Sequence, residues 1–282
     1  MRRFSLIAVA FVSLLIVAGC SLATMAYNNA PTVLTYALND YFNLSTEQED
    51  WLKPRLNRFI DWHRVNELPA YRRLIDEATR QIGDGPRAED ARVLYENGKM
   101  RLERAGDRAL PDIAAFLFQL EPRQIAHLEK KLATDNRKME EEAAVPLLQR
   151  QQKRIEKAME RYADWFGTLS DAQATKIRAA MVTLPPMDAM RLADRKRRQV
   201  EFLALLKAAP DVALLQTELR RMLLQPEHGR EAGYQAELDR QFDSTISLLM
   251  SLLSEASPTQ RARIQRRLNG YAEDISSLLR SS

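Results

Sequence analysis

One short pattern, repeated four times, restricts what this chain can fold into. Leu44-Ser45-Thr46-Glu47-Gln48 recurs as Leu120-Glu121-Pro122-Arg123-Gln124, as Leu169-Ser170-Asp171-Ala172-Gln173 and as Ala256-Ser257-Pro258-Thr259-Gln260. Four residues after each Gln stands an apolar side chain: Leu52, Leu128, Ile177 and Ile264. Four further on stands another: Leu56, Leu132, Met181 and Leu268. Ser-x-x-Gln is a capping box. The Ser oxygen takes the N–H three residues on, and the Gln side chain reaches back to the N–H of the cap. Pro122 and Pro258 fall at the first helical position, where no N–H is missed. Each copy therefore starts a helix and aims an i+4 apolar series at a core. Ser45, Glu121, Ser170 and Ser257 are expected at or beside helix starts.

The rest of the sequence follows the same helical period. Leu52, Leu56, Phe59 and Ile60 share a face, as do Leu238, Phe242, Ile246 and Leu249. No stretch shows sustained strand alternation, and 9 Gly are too few for a turn-rich all-β protein. Gly83-Asp84-Gly85-Pro86, Leu184-Pro185-Pro186 and Ala209-Pro210-Asp211 break the chain. Pro54, Pro69, Pro111 and Pro146 are expected to kink helices or begin new ones. The expected fold is all-α, a multi-helix bundle of roughly eight to ten helical segments. Gln48 to Gln124 spans 76 residues and Gln173 to Gln260 spans 87. The difference of 11 is close to three helical turns and preserves the buried face. Two related halves, 44–168 and 169–282, account for this spacing; chance similarity of amphipathic helices is the alternative.

The N-terminus reads as an address. Met1-Arg2-Arg3 is basic, and Leu6 to Ala18 is apolar apart from Ser13. About thirteen residues are too few to span a bilayer core, which needs roughly twenty, so residues 1–19 form a signal sequence. Its end, Val17-Ala18-Gly19-Cys20, resembles the lipobox of bacterial lipoproteins. The resemblance implies cleavage before Cys20, a diacylglycerol on its thiol and an acyl chain on the new amino group. Several acyl chains anchor stably where a single one is marginal. Ser21, rather than Asp, after the cysteine implies the outer membrane. A signal peptide with a chance cysteine is the alternative, but Cys20 is the only cysteine present, which also excludes disulfides and Cys-based zinc sites. Residues 20–43 then form the lipidated N-terminus and first helix. Tyr36, Tyr41 and Phe42 would either rest at the membrane interface or pack with Leu34, Ala37 and Leu38 as a core stripe.

Few residues suggest chemistry. His63, His127 and His228 sit in unrelated segments without ligand spacing. No Gly-rich phosphate loop or nucleophile elbow is present. No cofactor or metal is expected, and the chain reads as a non-enzymatic binding module. The rival class is an envelope-polymer hydrolase with paired carboxylates such as Glu67 and Asp61. Two basic clusters stand out: Arg191 with Arg195, Lys196, Arg197 and Arg198, and Arg261 with Arg263, Arg266 and Arg267. The second lies at a helix N-terminus, where the macrodipole disfavours cations. That placement points to an anionic partner, envelope lipid or acidic client segments; solvated helix faces are the alternative. Lys+Arg is 42 against 38 Asp+Glu. This weak excess and the periplasmic address argue against nucleic acid.

The residues carry two family resemblances. The L-S/T-x-x-Q helix start is similar to the LTxxQ motif of Spy and CpxP, all-helical periplasmic stress chaperones. Ala26-Tyr27-Asn28-Asn29-Ala30, Trp51-Leu52-Lys53-Pro54-Arg55-Leu56, Trp62-His63-Arg64 and Glu67-Leu68-Pro69 resemble, with the lipobox, an uncharacterised family of all-helical proteobacterial lipoproteins. That resemblance implies membrane attachment through Cys20 and no known activity.

Overall fold

The computed structural model describes residues 20–280, so the leader at 1–19 lies outside the described residues. Twelve helices and no strand are present among them. They are α1 (Cys20–Asn28), α2 (Ala30–Phe42), α3 (Thr46–Asn66), α4 (Leu68–Asp84), α5 (Ala88–Phe118), α6 (Pro122–Ala144), α7 (Leu147–Phe166), α8 (Asp171–Thr183), α9 (Asp188–Lys207), α10 (Val212–Leu224), α11 (Ala232–Ser254) and α12 (Pro258–Arg280). The count exceeds the expected eight to ten because two long patterns are divided. One breaks at Asn29, before Pro31, and the other at Glu67, before Pro69. Pro69 lies in the first turn of α4 and Pro146 caps α7, while Pro54 and Pro111 are held inside α3 and α5.

All four repeated motifs start helices. Ser45, Ser170 and Ser257 accept from the N–H of Gln48, Gln173 and Gln260 at 3.3, 3.2 and 3.1 Å. Each of those glutamines accepts in return from the N–H of its serine, at 3.0 to 3.1 Å. At Glu121 the Gln124 side chain makes the same return bond, at 3.1 Å.

The glutamines also pair across the chain. Gln48 Nε2 donates to Gln124 Oε1 at 3.0 Å, and Gln124 Nε2 donates to Gln48 Oε1 at 2.7 Å. Gln173 and Gln260 repeat the arrangement at 3.1 and 2.9 Å. In each pair the later glutamine also donates to a carbonyl five residues before its partner, Asn43 O at 3.3 Å and Thr168 O at 2.9 Å. Each amide oxygen thus serves both its own helix start and the neighbouring one. Two helix ends are locked side by side, and each of the four glutamine amides has a donor and an acceptor partner.

Three apolar cores surround these locks. The first joins α2, α3, α5, α6, α9 and α10 through Phe42, Leu52, Leu128, Leu206 and Leu219, among others. The second joins α7, α8, α11 and α12 through Phe166, Ile177, Leu252 and Ile264. Leu52 and Leu128 in the first core, and Ile177 and Ile264 in the second, are the residues four beyond each motif glutamine. The third core, with Tyr27, Ile60, Leu68, Ile275 and Leu278, packs α1 between the ends of α3, α4 and α12. Helices from both sides of residue 168 build the first and third cores, because α9 and α10 close the first and α12 closes the third.

Candidate functional site

Cys20 lies in α1, which packs on the body through Tyr27. Tyr27, two turns later, is buried and its hydroxyl lies 2.9 Å from His63 Nδ1. Arg64 donates to Asn28 Oδ1 at 3.0 Å, and its guanidinium lies over the Tyr27 ring. Seven residues of helix rise about 10 Å, so a lipid on Cys20 would hold the folded body close to its bilayer. No helix among the described residues is long and apolar enough to cross a membrane.

The Trp62-His63-Arg64 and Glu67-Leu68-Pro69 segments meet Tyr27 in one polar cluster at this end. His63 is buried among Tyr27, Phe59 and Tyr71, and burial lowers its pKa to about 4. Burial likewise raises Tyr71 to about 12. Glu67 is 0% exposed. Arg104 Nε lies 3.0 Å from one of its oxygens and Arg101 lies 3.9 Å from the other, and neither contact is aligned as a hydrogen bond. Arg104 and Arg108 both rest over the Trp62 ring. Asp61, by contrast, is exposed on α3. Glu67 is thus enclosed by the fold while Asp61 faces outward.

The second basic cluster is at α12. Its placement at a helix N-terminus finds its reason in the neighbouring helices. Arg261 donates to Leu253 O and Ala256 O, the carbonyls that end α11, both at 3.2 Å. Arg267 donates to Asp164 O, near the end of α7, at 2.8 Å and stacks on Trp165; Arg263 reaches the same carbonyl at 3.4 Å. Cations that oppose their own helix dipole here satisfy the negative ends of two others. Arg266 is exposed.

The first cluster is largely neutralised within the fold. Arg195 is buried and donates to Asn136 Oδ1 at 2.9 Å, and burial lowers its pKa. Arg197 and Arg198 pair with the buried Asp194 at 2.9 and 3.2 Å, and Lys196 pairs with Glu140. Arg191 is half-buried. Backbone carbonyls engage three of the four arginines at α12, and four of the five bases in the first cluster have a side-chain partner.

Residues 40–235 match the model of a family of unknown function, DUF6279. The chain belongs to this family. The match takes in Gln48, Gln124, Gln173, Trp51, Trp62, His63, Glu67 and the Arg191–Arg198 cluster. Cys20, Tyr27 and the second basic cluster lie outside it. No curated protein and no solved structure matches the chain.

Another surface feature carried no sequence signal. The turn between α6 and α7 and the turn between α8 and α9 adjoin: Gln151 donates to Val182 O at 3.4 Å, Arg154 to Leu184 O at 2.9 Å, and Arg150 pairs with Asp188. Val145, Leu147, Leu148, Val182 and Met190 are exposed there, Leu148 at 78%. The face of α7 beside them carries Leu148, Gln151, Gln152 and Ile155.

Proposed function

We propose that this chain is a lipoprotein of the bacterial envelope, anchored through Cys20 at the periplasmic face of the outer membrane. It acts there as a non-enzymatic interaction module, chaperone-like or scaffolding. The exposed apolar elbow at Val145, Leu147, Leu148 and Val182 carries the interaction part of this reading. Clustered exposed apolar side chains on a folded protein mark sites that take a partner. The adjoining face of α7 mixes Leu148 and Ile155 with three glutamines and Lys153 and extends the elbow as a surface for client segments. The ionisable groups buried in the interior are engaged with other parts of the fold, as Asp194, Glu67 and Arg195 are. The lipobox supports the anchor.

Suppression of aggregation of an unfolding client tests the interaction part. Wild-type protein in several-fold excess is expected to reduce light scattering, and Leu147→Ser/Leu148→Ser is expected to lose most of that protection at unchanged stability. No protection by wild type, or equal protection by the variant, would remove the elbow as the binding surface.

A further inference from the structure

We propose that the seam between α3 and α5 is a docking surface for anionic phospholipid headgroups, which orients the body on the membrane that Cys20 anchors. The inference rests on the membrane-anchored reading above and adds a second point of contact.

The seam is built from two helical stripes. Trp51, Arg55, Arg58 and Trp62 recur at i, i+4, i+7 and i+11 on α3, and Arg101, Arg104, Arg108 and Asp112 recur at i, i+3, i+7 and i+11 on α5. The two stripes touch along their length: Arg55 lies 3.4 Å from Asp112, and Arg104 and Arg108 lie over Trp62. Arg55 also stacks on Trp51, 3.6 Å from its ring centre. Five arginines thus face two carboxylates, Asp112 and the fully buried Glu67, with Asp61 exposed on the flank. Arg58 and Arg108 are exposed and form no ion pair among the described residues.

The chemistry is that of a membrane interface. A planar guanidinium binds phosphate oxygens in pairs, and tryptophan favours the headgroup level. Basic side chains close to an anionic leaflet are each attracted to it. Position singles out lipid over other polyanions. The Trp62 end of the seam adjoins α1, because His63 and Arg64 hold Tyr27 and Asn28. The arginines therefore lie within a few helical turns of the proposed lipid attachment.

Vesicle binding by residues 20–282 carrying Cys20→Ser tests this without the lipid. Every core residue named above lies between 27 and 278, so that chain keeps the whole described core. Partitioning onto vesicles containing phosphatidylglycerol is expected to exceed that onto phosphatidylcholine alone and to weaken with salt. Arg58→Gln/Arg108→Gln is expected to reduce it about tenfold. Arg178→Gln/Lys157→Gln removes equal charge elsewhere, at exposed positions of α8 and α7, and is expected to leave it unchanged. A matched urea midpoint checks that the variants fold. Equal binding to both vesicles, or equal loss in both double variants, would overturn the proposal. Binding to polyglutamate with none to anionic vesicles would overturn it in favour of an acidic polymer. Because this chain carries no acyl group, a negative result leaves the anchor at Cys20 to its own test.

Discussion

His63 shows how one side chain can connect helix α1 to the body and make that connection depend on pH. Its ring is buried against Tyr27, Phe59 and Tyr71, with Glu67 one turn on and Arg64 beside it. Burial disfavours the imidazolium and holds the folded-state pKa near 4, against about 6.5 in the unfolded chain. Between those values the unfolded chain binds the extra proton. Stability is therefore complete above about pH 6.5 and falls as pH drops towards 4. From pH 7 to pH 5 the loss from this group is about 2 kcal/mol. Urea midpoints over that range should fall in wild type, and His63→Gln should flatten the part due to this group. An unchanged slope in the variant would assign the pH dependence to other residues.

At the scale of elements, the helix starts carry the most information. A capping box is local, with donor and acceptor three residues apart, so Ser45, Glu121, Ser170 and Ser257 were legible in the sequence. The lateral pairing of their glutamines was not. It joins residues 76 and 87 apart, and nothing in a five-residue motif states which other motif it will meet. The same distinction explains the arginines at α12. Their conflict with their own helix dipole was visible, but the carbonyl ends of α7 and α11 that resolve it are supplied by tertiary packing. The Arg–Trp seam was missed because each of its stripes reads as ordinary solvated helix until α3 and α5 are set side by side. Gln173 is almost fully buried and serves two helix starts. Gln173→Ala should cost about 2–3 kcal/mol, because it leaves the Gln260 amide and the Ser170 N–H short of partners. Ser45→Ala, which removes one half-buried arm of a cap, should cost about 0.5–2 kcal/mol. Equal midpoints for wild type and Gln173→Ala would show that the lateral pair contributes nothing.

At the scale of the molecule, three cores are joined by helices that belong to more than one of them. Helix α12 begins in the second core with Ile264 and ends in the third with Leu278, where it meets α1. Helix α1 is thus tied to the far end of the chain as well as to α3. A lipid on Cys20 would restrain the orientation of the whole body, leaving the apolar elbow at α6–α7 and α8–α9 as the surface offered to partners. The proposed membrane seam and the proposed client elbow lie on different helices, so loss of one should leave the other intact. The most direct measurement is the intact mass and membrane fractionation of the mature protein, wild type against Cys20→Ser. The account predicts a wild-type chain that begins at Cys20, carries diacylglycerol and an acyl group, and sediments with outer membranes; Cys20→Ser should be released or remain uncleaved. A wild-type chain that is unacylated at Cys20, or a Cys20→Ser chain processed and membrane-bound like wild type, would contradict it.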